Sequence, residues 1–98
     1  MKSQQSLVEQ VQEYLRFKRS CGYRLDVPGK ELMLFARYAA LTGHKGPLTT
    51  ELAVRWAKLP QDANPRYWAT RYEIVRRFAE YRFLFNPATE IPPKGLLG

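Results

Sequence analysis

The side chains most often used in catalysis are few in this sequence, and they stand apart from one another. His44 is the only histidine, and it lies in a Gly/Lys segment that holds no carboxylate or cysteine. Cys21 is the only cysteine, so the chain offers neither an internal disulfide nor a thiolate zinc site. We expect His44 to be an exposed loop residue and Cys21 to be a small residue at the edge of the core. Neither indicates metal or nucleophilic chemistry.

The carboxylates and glycines likewise give no sign of a reaction centre. The nine Asp and Glu residues are scattered, and no two are spaced as an acid–base pair. Neither of the phosphate-cradling patterns GxGxxG and GxxxxGK[ST] occurs. We therefore predict that this chain is not an enzyme by itself, and that it uses no cofactor, no metal ion and no small-molecule substrate.

Arginine and lysine are the residues whose chemistry stands out. Sixteen basic residues against nine acidic ones give a net charge of +7. In so small a chain this excess is typical of proteins that bind a polyanion, most often nucleic acid. Two basic clusters with interleaved aromatic residues carry much of it. The first contains Arg16, Lys18, Arg19, Tyr23 and Arg24, and the second contains Arg66, Arg71, Arg76 and Arg77.

Each cluster also has a purely structural interpretation. Cations at a helix C-terminus interact favourably with the carbonyl end of their own helix. Arg76 can pair with Glu73 or Glu80 at helical spacing. At this stage the sequence leaves both interpretations open beside phosphate binding.

Four amphipathic segments are predicted to position these residues. Ser6 and Glu9 have the spacing of a capping box, and Gly22 is a helix stop. Thr49 or Thr50 caps the third segment, and Asn64-Pro65 opens the fourth. The predicted helices span residues 7–20, 28–42, 51–59 and 64–85. No segment has the alternation of a strand.

The predicted apolar faces define a core. They comprise Leu7, Val8, Val11, Tyr14 and Leu15 in the first helix; Leu32, Phe35, Ala36 and Ala39 in the second; Leu52, Ala53, Trp56 and Ala57 in the third; and Trp68, Tyr72, Val75, Phe78, Ala79 and Phe83 in the fourth. The fold predicted from them is all-α, with four helices in an orthogonal or bundle-like packing. Residues 1–5 are a tail and 6–86 one domain. Residues 87–98 are an extended linker around Pro92-Pro93, with Ile91 or Leu96 able to pin it.

Targeting and membrane signals are not apparent. The N-terminus leads directly into an amphipathic segment, so we see no signal peptide. No stretch approaches 18 uncharged apolar residues, as a spanning helix requires. A single cysteine fits a reducing, cytoplasmic compartment.

Several ordered stretches carry a resemblance to a known family. They are FKRSCGYRL, LMLFARYAALTG, LTTELAVRWAKLP, YWATRYEIVRRFAEY and NPATEIPPKGLL. Over nearly all of residues 6–98 the chain resembles the N-terminal core-binding domain of tyrosine recombinases, the phage-type integrases. Tyr72 and Arg82 depart from that pattern, since a leucine and an apolar residue are usual there.

The resemblance implies a four-helix SAM-like fold that closes over one side of duplex DNA. In this family a separate C-terminal domain holds the Arg/Lys/His-x-x-Arg set and the tyrosine nucleophile. The chain is then expected to be the DNA-binding part of a bacterial or phage-encoded recombinase, with 87–98 leading towards an absent catalytic domain. Double-stranded DNA and, in a synaptic complex, other protomers are the expected partners.

On this basis we predict that the second and fourth helices lie across the major groove and contact mainly phosphates. The predicted contacts are Lys18, Arg19, Arg24, Lys30, Arg66, Thr70, Arg71, Arg76 and Arg77. The alternative is a protein-interaction module that docks an acidic partner or a neighbouring protomer through Tyr67, Ile74 and Tyr81. Membrane-surface binding would need a clean exposed apolar edge, and the apolar faces are predicted to be used in the core.

Overall fold

The computed structural model describes residues 6–97, so the predicted tail at residues 1–5 lies outside the described residues, as does residue 98. Residues 6–97 form four α-helices and contain no strand, which confirms the all-α, four-helix class. The helices are α1 (Leu7–Ser20), α2 (Asp26–Leu41), α3 (Thr50–Ala57) and α4 (Pro65–Phe83). The chain divides into a first unit, which ends at Lys45 and contains α1 and α2, and a second unit from Gly46 onwards with α3 and α4.

Three of the four helices begin at the cap predicted for them. The Ser6 hydroxyl accepts from the Glu9 N–H while the Glu9 carboxylate accepts from the Ser6 N–H, which completes the capping box. The Thr49 hydroxyl accepts from the Leu52 N–H at the start of α3. The Asn64 side chain accepts from the Arg66 N–H at the start of α4. Each side chain satisfies a backbone donor that has no partner within its helix.

The start of α2 differs from the prediction. It begins two residues earlier, so Pro28 is its third residue, within the first turn where a missing N–H costs nothing. Leu25 occupies the cap position with φ 51° and ψ 47°, and its side chain makes no capping hydrogen bond. This left-handed conformation costs a non-glycine residue roughly 1–2 kcal/mol. The other ends differ by two residues or fewer: α2 stops at Leu41, α3 at Ala57 and α4 at Phe83.

The first unit buries most of the face predicted for it. Val11, Tyr14 and Leu15 of α1 are buried, and so are all four predicted residues of α2, whereas Leu7 and Val8 are half-buried. Gly29 of α2 is buried against α1. A Cβ at this position would lie 3.5 Å from the Leu15 methyl groups, an ordinary van der Waals contact, and 3.0 Å from the flexible end of the Arg19 side chain. The backbone of α2 therefore packs on side chains of α1 at this point.

The second unit is built on the predicted faces of α3 and α4. All four predicted residues of α3 are buried, as are Tyr72, Val75, Phe78 and Ala79 of α4. Trp68 is half-buried, and its indole N–H donates to the Pro60 carbonyl at 2.7 Å, which anchors the loop before α4. The prediction is wrong for Phe83, which is exposed because it ends α4, more than a turn beyond the last buried residue, Ala79.

The segment after α4 is tied to the second unit, though not by the predicted side chains. Ile91 and Leu96 are exposed, whereas Thr89 and Pro92 are buried. The Glu90 carboxylate accepts from the Thr50 N–H at 2.8 Å, where a negative charge also suits the N-terminus of α3. Its N–H donates to the Leu48 carbonyl. Residues 89–93 therefore complete the packing around α3 and α4.

Tyr72 makes the second tie, because its hydroxyl donates to the Pro93 carbonyl at 2.5 Å. Burial raises the pKa of the Tyr72 phenol above its ordinary value of about 10, while the nearby Arg76 charge lowers it and the Glu73 charge raises it. The folded chain therefore holds this proton more tightly than the unfolded chain does. The stabilising effect is complete below about pH 10 and is lost as the pH rises towards the folded-state pKa.

We expect Tyr72→Phe to lower the free energy of unfolding at pH 8 by about 1 kcal/mol, because the hydrogen bond is lost. We also expect it to flatten the fall in that free energy between about pH 9.5 and 11, a range around the ordinary tyrosine pKa. Urea unfolding at each pH measures both effects. Tyr23→Phe, which removes an exposed phenol, is the matched control. An alkaline slope that is equal in the parent chain and in Tyr72→Phe would contradict the assignment.

Candidate nucleic-acid interface

The first basic cluster is assembled by the turn that ends α1. Gly22 has φ 98°, its N–H donates to the Arg19 carbonyl, and the Tyr23 N–H donates to the Lys18 carbonyl. This is the Schellman arrangement, which glycine suits because it adopts a left-handed conformation without a Cβ clash. The turn brings the last cations of α1 beside the first residues of α2. We call the set Lys18, Arg19, Arg24 and Lys30 the basic corner.

Local contacts hold the basic corner in place. The Arg19 guanidinium donates to the Arg24 carbonyl at 3.0 Å, so it links the end of α1 to the approach to α2. The Lys18 ammonium lies 4.5 Å from the centre of the Tyr23 ring, a cation–π distance. Neither contact involves a carboxylate, so neither neutralises the positive charge of Arg19 or Lys18.

Little negative charge offsets the basic corner. Residues 16–30 hold five basic side chains and one acidic side chain, Asp26. Asp26 lies 3.7 Å from the exposed Arg24, a weak surface pair. Lys30 is exposed and forms no ion pair within residues 6–97. Cys21 is exposed in the same turn rather than at the core edge, because the helix ends before its side chain can turn inward.

The second predicted cluster is not a uniform cationic face, since Arg71 is buried. Only 6% of the surface of Arg71 is exposed. The guanidinium carbon lies 3.7 Å from the centre of the Trp56 ring, one nitrogen donates to the Trp56 carbonyl at 3.1 Å, and another donates to the Tyr67 hydroxyl. The prediction placed Arg71 among the phosphate contacts. Its position instead makes it a clamp between α3 and α4.

Arg76 and Arg77 are both paired, with very different exposure. Arg76 contacts Glu73 at 3.4 Å and Glu80 at 3.2 Å, and its side chain is 15% exposed. The pairing of Arg76 with Glu73 or Glu80, which the sequence offered as an alternative to phosphate binding, is therefore observed with both carboxylates. Arg77 contacts the same Glu73 oxygen at 3.2 Å, yet its side chain remains 70% exposed. Arg77 is therefore accessible to an anion and Arg76 is not.

The outer row of α4 is mixed in charge. Arg66, Thr70 and Arg77 are exposed on it as predicted. The Thr70 hydroxyl donates to the Arg66 carbonyl at 3.0 Å, so it serves its own helix. Glu73 sits in the same row between Thr70 and Arg77, where its carboxylate would repel a phosphate. This row provides two accessible arginines instead of the continuous cationic face expected.

The strip proposed as an alternative docking surface is engaged locally. Tyr67 is partly exposed, but its hydroxyl accepts from Arg71 and its ring lies 5.5 Å from that guanidinium. Tyr81 is half-buried and its ring lies 5.0 Å from that of Phe85. Ile74 is half-buried. The strip therefore offers little apolar area that is not already in contact.

Metal sites and membrane-spanning helices each have a recognisable arrangement of side chains. Within residues 6–97 no group of three or more His, Cys, Asp or Glu side chains is placed to hold a metal ion. His44 is half-buried rather than exposed, and its backbone N–H donates to the Ala39 carbonyl at the end of α2. Over the same range, none of the helices has the length and apolarity needed to cross a membrane.

The structural assignment of Arg71 predicts a large loss of stability on substitution. We expect Arg71→Lys to lower the free energy of unfolding by about 2 kcal/mol, because a lysine keeps the charge but loses the stacked, forked guanidinium. Urea unfolding followed by helical circular dichroism measures this. Arg77→Lys, which changes an exposed arginine in the same helix, should stay within about 0.5 kcal/mol. Equal effects of the two substitutions would contradict the clamp.

Comparison with known proteins places the chain beside integrases. It is 46% identical over 88 residues, 89% of its length, to the "Putative integrase/recombinase y4rB" of Sinorhizobium fredii. It is 32% identical over 85 residues to the "Putative integrase/recombinase y4rE" of the same organism. No family model matches the chain, and no solved structure matches it. The chain spans 27% of the length of each of these relatives, and over that stretch it is related to both.

Proposed function

We propose that this chain is the DNA-binding part of a site-specific integrase or recombinase of the tyrosine type, corresponding to a SAM-like core-binding domain. The observation that carries the proposal is the basic corner, where the cations at the end of α1 and the beginning of α2 form, within residues 6–97, no ion pair closer than the weak Arg24–Asp26 contact at 3.7 Å. The relatives named integrase/recombinase support it, since such proteins act on DNA. Their greater length supports a catalytic part outside the stretch matched here.

The basic corner contacts the phosphate backbone of duplex DNA. Arg24 and Lys30 are its accessible cations at the start of α2, and Lys18 and Arg19 extend the surface along the end of α1. Phosphate contacts fix position and supply affinity without reading sequence. Their strength follows from counterion release, so it falls steeply with salt. No bond is made or broken in this chain, and strand cleavage belongs to the remainder of the protein.

The fourth helix takes a smaller part than the sequence indicated. Arg66 and Arg77 are the accessible guanidinium groups on its outer row, and either can meet a phosphate or a guanine edge. Arg71 and Arg76 act indirectly: they hold α4 in place through Trp56, Glu73 and Glu80. In the full protein, the second half of the grip raises the affinity by tethering.

A salt titration of the 98-residue chain with a fluorescein-labelled duplex tests the electrostatic mechanism. If about four phosphates are neutralised, affinity should fall roughly a hundred-fold between 50 and 200 mM salt. Arg24→Gln should weaken binding at every salt concentration and reduce the slope of log K against log salt by about 1. Fluorescence anisotropy measures both quantities.

Arg55→Gln is the matched control, since Arg55 is also an exposed arginine but is paired with Glu51 at 2.6 Å outside the basic corner. It should leave the slope unchanged. Binding that does not vary with salt, or equal effects of Arg24→Gln and Arg55→Gln, would overturn the proposal.

A further inference from the structure

The α2 helix is apolar on two opposite sides. Its inner side carries the buried residues Leu32, Phe35, Ala36 and Ala39. Its outer side carries Val27, Leu34 and Leu41, whose exposed fractions are 65%, 51% and 88%. Because a helix turns by about 100° per residue, positions seven apart lie in one row, and this row falls opposite the buried side. An ordinary surface helix is polar there.

Two cations complete the outer row. Lys30 and Arg37 fall between the three aliphatic residues, at spacings of three and four, and both are exposed. Neither forms an ion pair within residues 6–97. We call Val27, Lys30, Leu34, Arg37 and Leu41 the outer stripe. It extends over about 21 Å of helix axis, which is four turns.

We propose that the outer stripe docks an acidic amphipathic helix of a partner protein. Aliphatic residues repeated every seven positions are what a second helix covers when the two pack side by side. Lys30 and Arg37 then favour a partner that flanks its own apolar row with Glu or Asp, because the opposite charges steer and orient the pair. This inference does not require the proposed DNA binding, although the outer stripe and the basic corner share Lys30.

Two other occupants fit the outer stripe less well. A second copy of the chain would bring two identical surfaces together, each with Lys30 and Arg37 and no carboxylate in the row, and both chains carry +7. Duplex DNA would accept the two cations, but it offers an aliphatic side chain only the thymine methyl groups of the major groove. Three exposed aliphatic residues therefore favour a protein partner.

The probe is a fluorescein-labelled, alanine-based peptide of about 22 residues, with three leucines spaced by seven and glutamates flanking them, which is long enough to cover the stripe. We expect saturable binding to the 98-residue chain by fluorescence anisotropy. Leu34→Glu should weaken binding about tenfold or more, because a leucine that the peptide would cover is replaced by a charge that faces the peptide's glutamates. Leu34→Gln, which adds no charge, should also weaken it.

Controls separate the stripe from general charge and from the rival occupants. Leu59→Glu, a similarly exposed leucine in the second unit, should leave binding unchanged, and a peptide with lysines in place of the glutamates should bind poorly. Arg37→Glu takes the charge of the outer stripe from two cations to one cation and one carboxylate, so it should remove most of the preference for the acidic peptide. The proposal is overturned if neither peptide binds, or if both bind equally. It also fails if Leu34→Glu abolishes duplex binding but not peptide binding, or if the parent chain sediments as a dimer that Leu34→Glu dissociates.

Discussion

The second unit depends on one buried cation. The guanidinium carbon of Arg71 lies 3.7 Å from the centre of the Trp56 ring, and the group donates to the Trp56 carbonyl, which is near the C-terminal end of α3. Burying a charge is costly, and here two guanidinium nitrogens donate hydrogen bonds while the cation lies over an aromatic ring, which offsets part of that cost. The carbonyl end of α3 also carries a partial negative charge that favours a cation. The largest buried side chain, Trp56, is thereby fixed against α4.

The remaining arginines of α4 are governed by pairs within the helix. Arg76 lies five residues after Arg71, about 140° around the helix, and it is held by carboxylates one turn away in each direction, Glu73 and Glu80. Glu73 is shared with Arg77, so its charge also moderates the one accessible guanidinium in that part of the helix. A helix with five arginines therefore presents much less positive charge than its composition indicates.

Caps and apolar periodicity were sufficient to predict the class of fold and most of the core. Ser6, Thr49 and Asn64 carry short side chains whose only good partners are the adjacent backbone N–H groups, so local sequence determines these helix starts. The left-handed backbone of Leu25 could not be foreseen, because leucine disfavours this conformation and the sequence has no glycine or asparagine there to indicate it.

The accessibility of the arginines in the candidate site could not be predicted from their spacing. Helical spacing shows which residues share a face, but not whether a long cation at the margin of that face folds inward or outward. Arg71 folds over a tryptophan fifteen positions earlier in the chain, and that contact has no local signature. The ties of Glu90 and Tyr72 are equally distant in sequence, at forty and twenty-one positions. The sequence alone therefore indicated an extended linker at residues 87–98 that Ile91 or Leu96 could pin, and it did not indicate the contacts of Glu90 and Tyr72.

The accessible charge of the molecule is therefore distributed differently from its total charge. The first unit has eight basic and four acidic residues, and the second has eight and five, so the totals are close. In the second unit, however, Arg71 is buried, and Arg76 and Arg55 are paired.

Within the basic corner, Lys18 and Arg19 also stabilise the carbonyl end of α1, so their replacement would alter the helix as well as its surface. Arg24 and Lys30 do not have this second role, because Arg24 precedes α2 and Lys30 lies in its second turn, far from either carbonyl end. They report on anion binding with the least structural consequence, which makes the beginning of α2 the most informative place to examine contact with DNA.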